Sequence, residues 1–78
     1  MEIGNRIVYF RKQANHTQEQ LAEKIFLTRQ GISNWETGKT YPDIHSLLLI
    51  SHILQVSLED LVKGDLQEMK HIVNEVDK

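Results

Sequence analysis

Four side chains that hydrogen-bond well, Arg29, Gln30, Ser33 and Asn34, stand one, four and five positions apart in the stretch TRQGISNWETG. On a helix that spacing places them on one face. Their common chemistry is the matching of donor and acceptor patterns. An Arg fork fits the O6 and N7 of guanine, and Gln and Asn amides fit the N6 and N7 of adenine. Arg29 and Gln30 are therefore the principal candidate base readers, with Ser33 and Asn34 second. Bond-making chemistry has no comparable set. There is no Cys, no Gly-rich phosphate loop and no nucleophile with a plausible base. His16, His45, His52 and His71 are scattered, and His45 with His52, seven apart, reads as surface decoration. The expectation is a protein that is not an enzyme, with no catalytic residue, no metal site and no cofactor.

A face of this kind needs a helix to carry it and other helices to hold it. Ile3, Ile7 and Phe10 recur at helical spacing and predict a first amphipathic helix over residues 2–13, interrupted by Asn15 and His16. Thr17 with Gln20 forms a capping box that starts a second helix through about Lys24, with Leu21, Ala22 and Ile25 inward. After a break at Phe26-Leu27, Thr28 is an N-cap candidate for a third helix from Arg29 to about Thr37, and Gly38 suits its left-handed stop. Lys39, Thr40, Tyr41 and Pro42 form a loop, and Asp43 caps a fourth helix whose expected core face is Ile44, Leu47, Leu48 and Leu54. Ser57 with Asp60, and the staple pair Val56 and Leu61, mark a short fifth helix ending near Lys63-Gly64. Strand signals are absent.

Two short helices joined by a tight break, the second rich in exposed polar residues, make a helix-turn-helix able to lay its second helix in a DNA major groove. The stretch TQEQLAEKIFLTRQGISNWETG resembles the helix-turn-helix of phage repressors and Cro proteins, the xenobiotic-response-element type family. The resemblance runs from residue 2 to about 64 and takes in IGNRI, FRK, YPDIHSLLLIS and VSLEDLVKG. It implies an all-α, five-helix, lambda-repressor-like DNA-binding domain at 1–64. The implied function is sequence-specific transcriptional control, repression of a palindromic operator by a homodimer, with the helix at 28–37 in the major groove. By the same resemblance Arg29, Gln30, Ser33 and Asn34 read bases, and Thr17, Gln18, Thr28, Thr37, Lys39, Thr40 and Tyr41 touch phosphate. Arg11 and Glu36 resemble the structural ion pair of the fold, and Trp35 reads as a core or hinge residue. The chain departs from the family pattern at Phe26, where Gly is common, at Gly31, where Thr or Ser is usual, and at His16, which replaces an apolar residue.

At 78 residues the chain is one small module whose core lies near the lower limit for folding alone, so dimerisation is a natural supplement. The net charge of −2 conceals an asymmetry. Residues 1–42 carry six basic against four acidic side chains, and residues 43–78 three against seven, so one half suits phosphate and the other faces away. The segment 65–78 places Leu66, Met69, Val73 and Val76 at heptad spacing with Ile72 beside them, an amphipathic helical tail that packs back on the domain or supplies a dimer interface. The longest apolar run is only Leu47-Leu48-Leu49-Ile50, and the lack of Cys fits a reducing compartment, so a cytoplasmic protein with no membrane association is expected. The expected partners are double-stranded DNA and a second copy, with no small-molecule effector evident. The competing reading is an antitoxin or protein-docking module on the same fold.

Overall fold

The computed structural model describes residues 2–63 and 65. Four helices, α1 (Ile3–Gln13), α2 (Gln18–Lys24), α3 (Arg29–Glu36) and α4 (Ile44–Leu54), are followed by helical residues 58–63, here α5. Among the described residues there is no strand, and no helix is long and apolar enough to cross a membrane.

Local capping sets most of the boundaries. Thr17 Oγ1 accepts from the Gln20 backbone N–H at 3.0 Å while Gln20 Oε1 accepts from the Thr17 N–H at 2.9 Å, a complete capping box. Thr28, Asp43 and Ser57 each accept from the backbone N–H three residues on and start α3, α4 and α5. The first four helices all end the same way. After each, one residue turns left-handed, Asn15, Phe26, Gly38 or Gln55. The next N–H then reaches back five positions, as in Leu27 to Ala22 at 2.9 Å and Lys39 to Asn34 at 2.9 Å. The carbonyls at each helix end are thereby satisfied, which is why Phe26 must take φ 60° even though it is not Gly.

Phe26 gains nothing visible from this, since its ring is 90% exposed. A left-handed non-Gly residue costs about 1 kcal/mol, and no buried ring area offsets it. Phe26→Gly is expected to raise stability by about 1 kcal/mol, seen as a higher urea midpoint at unchanged slope. A lowered midpoint would show that the ring packs somewhere after all.

The core gathers Ile3, Ile7, Leu21, Ala22, Ile25, Ile32, Trp35, Leu47, Ile50, Leu54 and Leu61 from all five helices. The expected core face of α4 needs correction. Leu47 and Leu54 are buried as expected, but Ile44 and Leu48 are 62% and 51% exposed, and Ile50 points inward in their place. Ile44, Leu47, Leu48, Leu49, Ile50, Ile53 and Leu54 make α4 apolar nearly all round, so its pattern alone does not select a face.

Two contacts fix α1 in a way no local pattern announces. A methyl carbon at Gly4 would lie 2.6 Å from the Trp35 carbonyl oxygen and 2.7 Å from that of Glu36, so the backbone of α1 touches the end of α3 directly. Asp65, 1% exposed, accepts from the backbone N–H groups of Glu2 and Ile3 and caps α1 from across the chain. The packed unit thus includes Asp65, one residue beyond the expected domain end at 64. The amphipathic stripe Leu66, Met69, Ile72, Val73 and Val76 lies outside the described residues.

Candidate nucleic-acid interface

α2 and α3 pack on one another across the Phe26-Leu27 turn, and α3 also packs on α1. On α3, Ile32 and Trp35 are buried. Arg29 and Gln30 are exposed, while Ser33 and Asn34 are half-buried but reach solvent. The four expected readers therefore share the side of α3 left uncovered. Gln30 and Asn34 are also linked, Gln30 Nε2 donating to Asn34 Oδ1 at 3.0 Å. Gly31 lies half-buried between them, and a methyl carbon there would meet only Thr28 Oγ1, at an ordinary 3.5 Å.

The orientation of α3 is held by one carboxylate. Glu36, whose side chain is 6% exposed, accepts from Arg11 Nε at 2.7 Å, from Arg11 Nη2 at 3.2 Å and from Gln18 Nε2 at 2.8 Å. Arg11 Nη1 donates in turn to the His16 carbonyl at 2.8 Å. Three helices and the α1–α2 loop thus meet at a bidentate ion pair with further donors around it, the arrangement that makes a desolvated pair tolerable. Gln18 is consequently a brace for α3 as well as a surface residue. One Nε2 hydrogen goes to Glu36, and the other remains for a ligand. His16 carries the one buried side-chain polar atom without a partner among the described residues, its Nδ1.

The residues expected to meet phosphate divide by where their protons go. Thr17 and Thr28 use their oxygens as acceptors for helix caps, which leaves each hydroxyl hydrogen free to donate. Lys39 and Thr40 are exposed, their backbone N–H groups anchored on the Asn34 carbonyl. Thr37 differs, since its hydroxyl donates to the Ser33 carbonyl at 2.9 Å. Burial first, then the neighbouring Asp65 carboxylate, hold the Tyr41 phenol above its ordinary pKa. A phosphate only accepts, so Thr37 has no proton to give it while its bond to the Ser33 carbonyl stands. Sequence reasoning had no local signal for Asp65, whose partners lie 62 and 63 residues away.

Two helices at this register, with a polar exposed face on the second and caps at both N-termini, are the geometry of a helix-turn-helix. Residues 7–61 match the helix-turn-helix family. The chain belongs to that family. Over 65 residues this helix-turn-helix chain is 42% identical to the HTH-type transcriptional activator BcrR of Enterococcus faecalis, covering 83% of this chain and 32% of BcrR. It is 36% identical over 66 residues to repressor protein C2 of Salmonella phage P22, covering 85% of this chain and 31% of C2. The chain thus spans about a third of the length of these two relatives. Among solved structures, the P22 c2 repressor in complex with a synthetic operator superposes with a TM-score of 0.74 at 35% identity, over 80% of this chain and 94% of that one. SinR of Bacillus subtilis in complex with DNA gives 0.72 at 33% identity, over 77% and 97%. These similar proteins are a transcriptional activator, a repressor and a master regulator for biofilm formation.

Proposed function

We propose that this helix-turn-helix is the DNA-reading domain of a transcriptional repressor, which binds a palindromic operator as a homodimer with α3 in the major groove. The observation that carries the reading is the uncovered face of α3, where Arg29, Gln30, Ser33 and Asn34 stand together while Glu36 locks the same helix to α1 and α2. A recognition surface must be rigid before it can discriminate, because ordering it on binding would consume affinity. Arg29 reads guanine, and Gln30, Ser33 and Asn34 read the neighbouring bases. Thr17, Gln18, Thr28, Lys39 and Thr40 hold the phosphates. The DNA complexes of the similar P22 c2 repressor and SinR support the partner class.

Selection of bound duplexes from a random pool tests the reading. A palindrome should emerge, and Arg29→Ala should flatten its preference at one base pair by about 1–3 kcal/mol of discrimination. Weak binding without any preferred sequence would overturn it. With few basic side chains at the interface, affinity should fall only moderately as salt rises.

The dimer places its two recognition helices about 34 Å apart, one turn of DNA. Leu66, Met69, Ile72, Val73 and Val76 are the proposed dimerisation residues, on the strength of their heptad spacing. Because Asp65 caps α1, the chain to compare must end at Asp65 and not at Gly64. Sedimentation of residues 1–65 is expected to show a monomer where the full chain sediments as a dimer. An undiminished dimer would remove the tail from the interface.

A further inference from the structure

The exposed side of α4 differs from that of every other described helix, and the difference bears on the homodimer proposed above, on which this inference rests. Four residues of α4 are exposed, Ile44, His45, Leu48 and His52, and none is Asp, Glu, Lys or Arg. Each other described helix exposes at least one such residue, as Lys12 does on α1, Glu23 on α2, Arg29 on α3 and Glu59 on α5. The depletion extends through the surrounding sequence. No charged residue occurs between Asp43 and Glu59, in a chain of which 26% is charged. A helix face that meets only water carries charged and polar side chains, whereas a shortage of charge marks the core of an interface. Ile44 and Leu48, 62% and 51% exposed, add an apolar pair one turn apart. Tyr9, 58% exposed, has no such setting, since Arg6 and Lys12 stand one turn to either side of it.

This face suits a second copy better than an unlike partner. In a two-fold contact each residue near the axis meets its own counterpart, so a charged residue there would face a like charge. A face without charge avoids that repulsion, and it has no charge pattern for an unlike partner to match. The proposed tail contact is also too small by itself. Its five apolar side chains bury roughly 300–600 Å² when fully covered, short of the about 800 Å² per partner of a stable interface. The α4 face adjoins that contact. The tail leaves the domain after Asp65, whose carboxylate neighbours Tyr41, and Tyr41 stands three residues before Ile44.

We infer that the exposed face of α4 is the second part of the dimer interface, packed antiparallel on the same face of a second copy with Leu48 at the two-fold axis. Leu48 lies midway between Ile44 and His52, one turn from each, so an axis at Leu48 sets Ile44 of one protomer beside the partner's His52. Both parts are needed, since neither the tail nor one uncharged helix face covers enough area alone.

The chain has no Cys, so a single introduced thiol reports on the axis. In the full 78-residue chain, Leu48→Cys should close a disulfide between two protomers on mild oxidation, because Cα atoms within about 7 Å can be bridged. Tyr9→Cys, equally exposed but on α1, should cross-link far more slowly. Leu48→Lys places two like charges at the axis and should raise the dimer dissociation constant about tenfold or more in sedimentation. Its helical circular-dichroism signal should stay that of the unsubstituted chain, since Leu48 fills no core position. A dimer undiminished by Leu48→Lys would overturn the inference and leave the face to an unlike partner. Leu48→Cys that cross-links no faster than Tyr9→Cys would overturn it too, whether the face is bare or covered by the chain's own tail. An unsubstituted chain that sediments as a monomer at every concentration would overturn the homodimer itself, an outcome distinct from these.

Discussion

Arg11→Ala is expected to lose about 3–5 kcal/mol of stability, the range found when one partner of a buried ion pair is removed. The substitution deletes three donors at once, two to Glu36 and one to the His16 carbonyl, and leaves the Glu36 carboxylate with Gln18 as its remaining side-chain donor. Small domains are stable by only about 5–15 kcal/mol in total, and one of this size sits toward the bottom of that range. A thermal melt followed by circular dichroism should therefore move down by many degrees, and DNA binding should fail because α3 is no longer held. A melt unchanged from the parent chain would sink the structural assignment of Arg11. The companion experiment replaces both charges, Arg11→Met with Glu36→Leu. No charge is then left unpaired, so much of the loss should be recovered in the melt even though the ion pair is gone. If the double variant is as unstable as Arg11→Ala, the geometry of the hydrogen-bonded network, rather than charge compensation, carries the stability.

Gly4→Ala is the second large effect, and its sign runs against helix propensity. In an open helix interior the change gains about 1 kcal/mol. Here the new methyl carbon would stand 2.6 Å and 2.7 Å from two backbone carbonyl oxygens at the end of α3, and backbone cannot rotate away as a side chain does. Helix α1 would have to withdraw from α3, loosening the seam that also holds Arg11 against Glu36. Overpacking of this kind costs about 1–3 kcal/mol, and here the propensity gain must also be overcome. A net loss of up to about 2 kcal/mol is expected in urea unfolding, with weaker DNA binding in proportion to the displacement of α3. A variant more stable than the parent would mean that the two helices have room to spare.

The parts of the fold that were legible from the sequence are those with short-range causes. Thr17 with Gln20, Thr28, Asp43 and Ser57 start their helices through bonds that span three residues, so any reader of the local sequence can find them. Arg29, Gln30, Ser33 and Asn34 were legible as one face because a helix converts spacing into direction. The exposure of Ile44 and Leu48 and the burial of Ile50 beside Leu47 and Leu54 were not, because an evenly apolar helix is oriented by its neighbours and not by its own pattern.

The chain by itself determined the number of described helices, where α2 to α5 begin, and the set of side chains that a partner could read, since capping and periodicity act within a turn or two of chain. Tertiary structure decided how those side chains are spent. It brought Asp65 to the start of α1, Gln18 and Arg11 to one carboxylate, and Gly4 against the end of α3, pairings across 18 to 63 residues or between backbones that carry no local sequence signature. A donor's type is written in its residue, but whether its hydrogen is free depends on which acceptor the folded chain sets beside it.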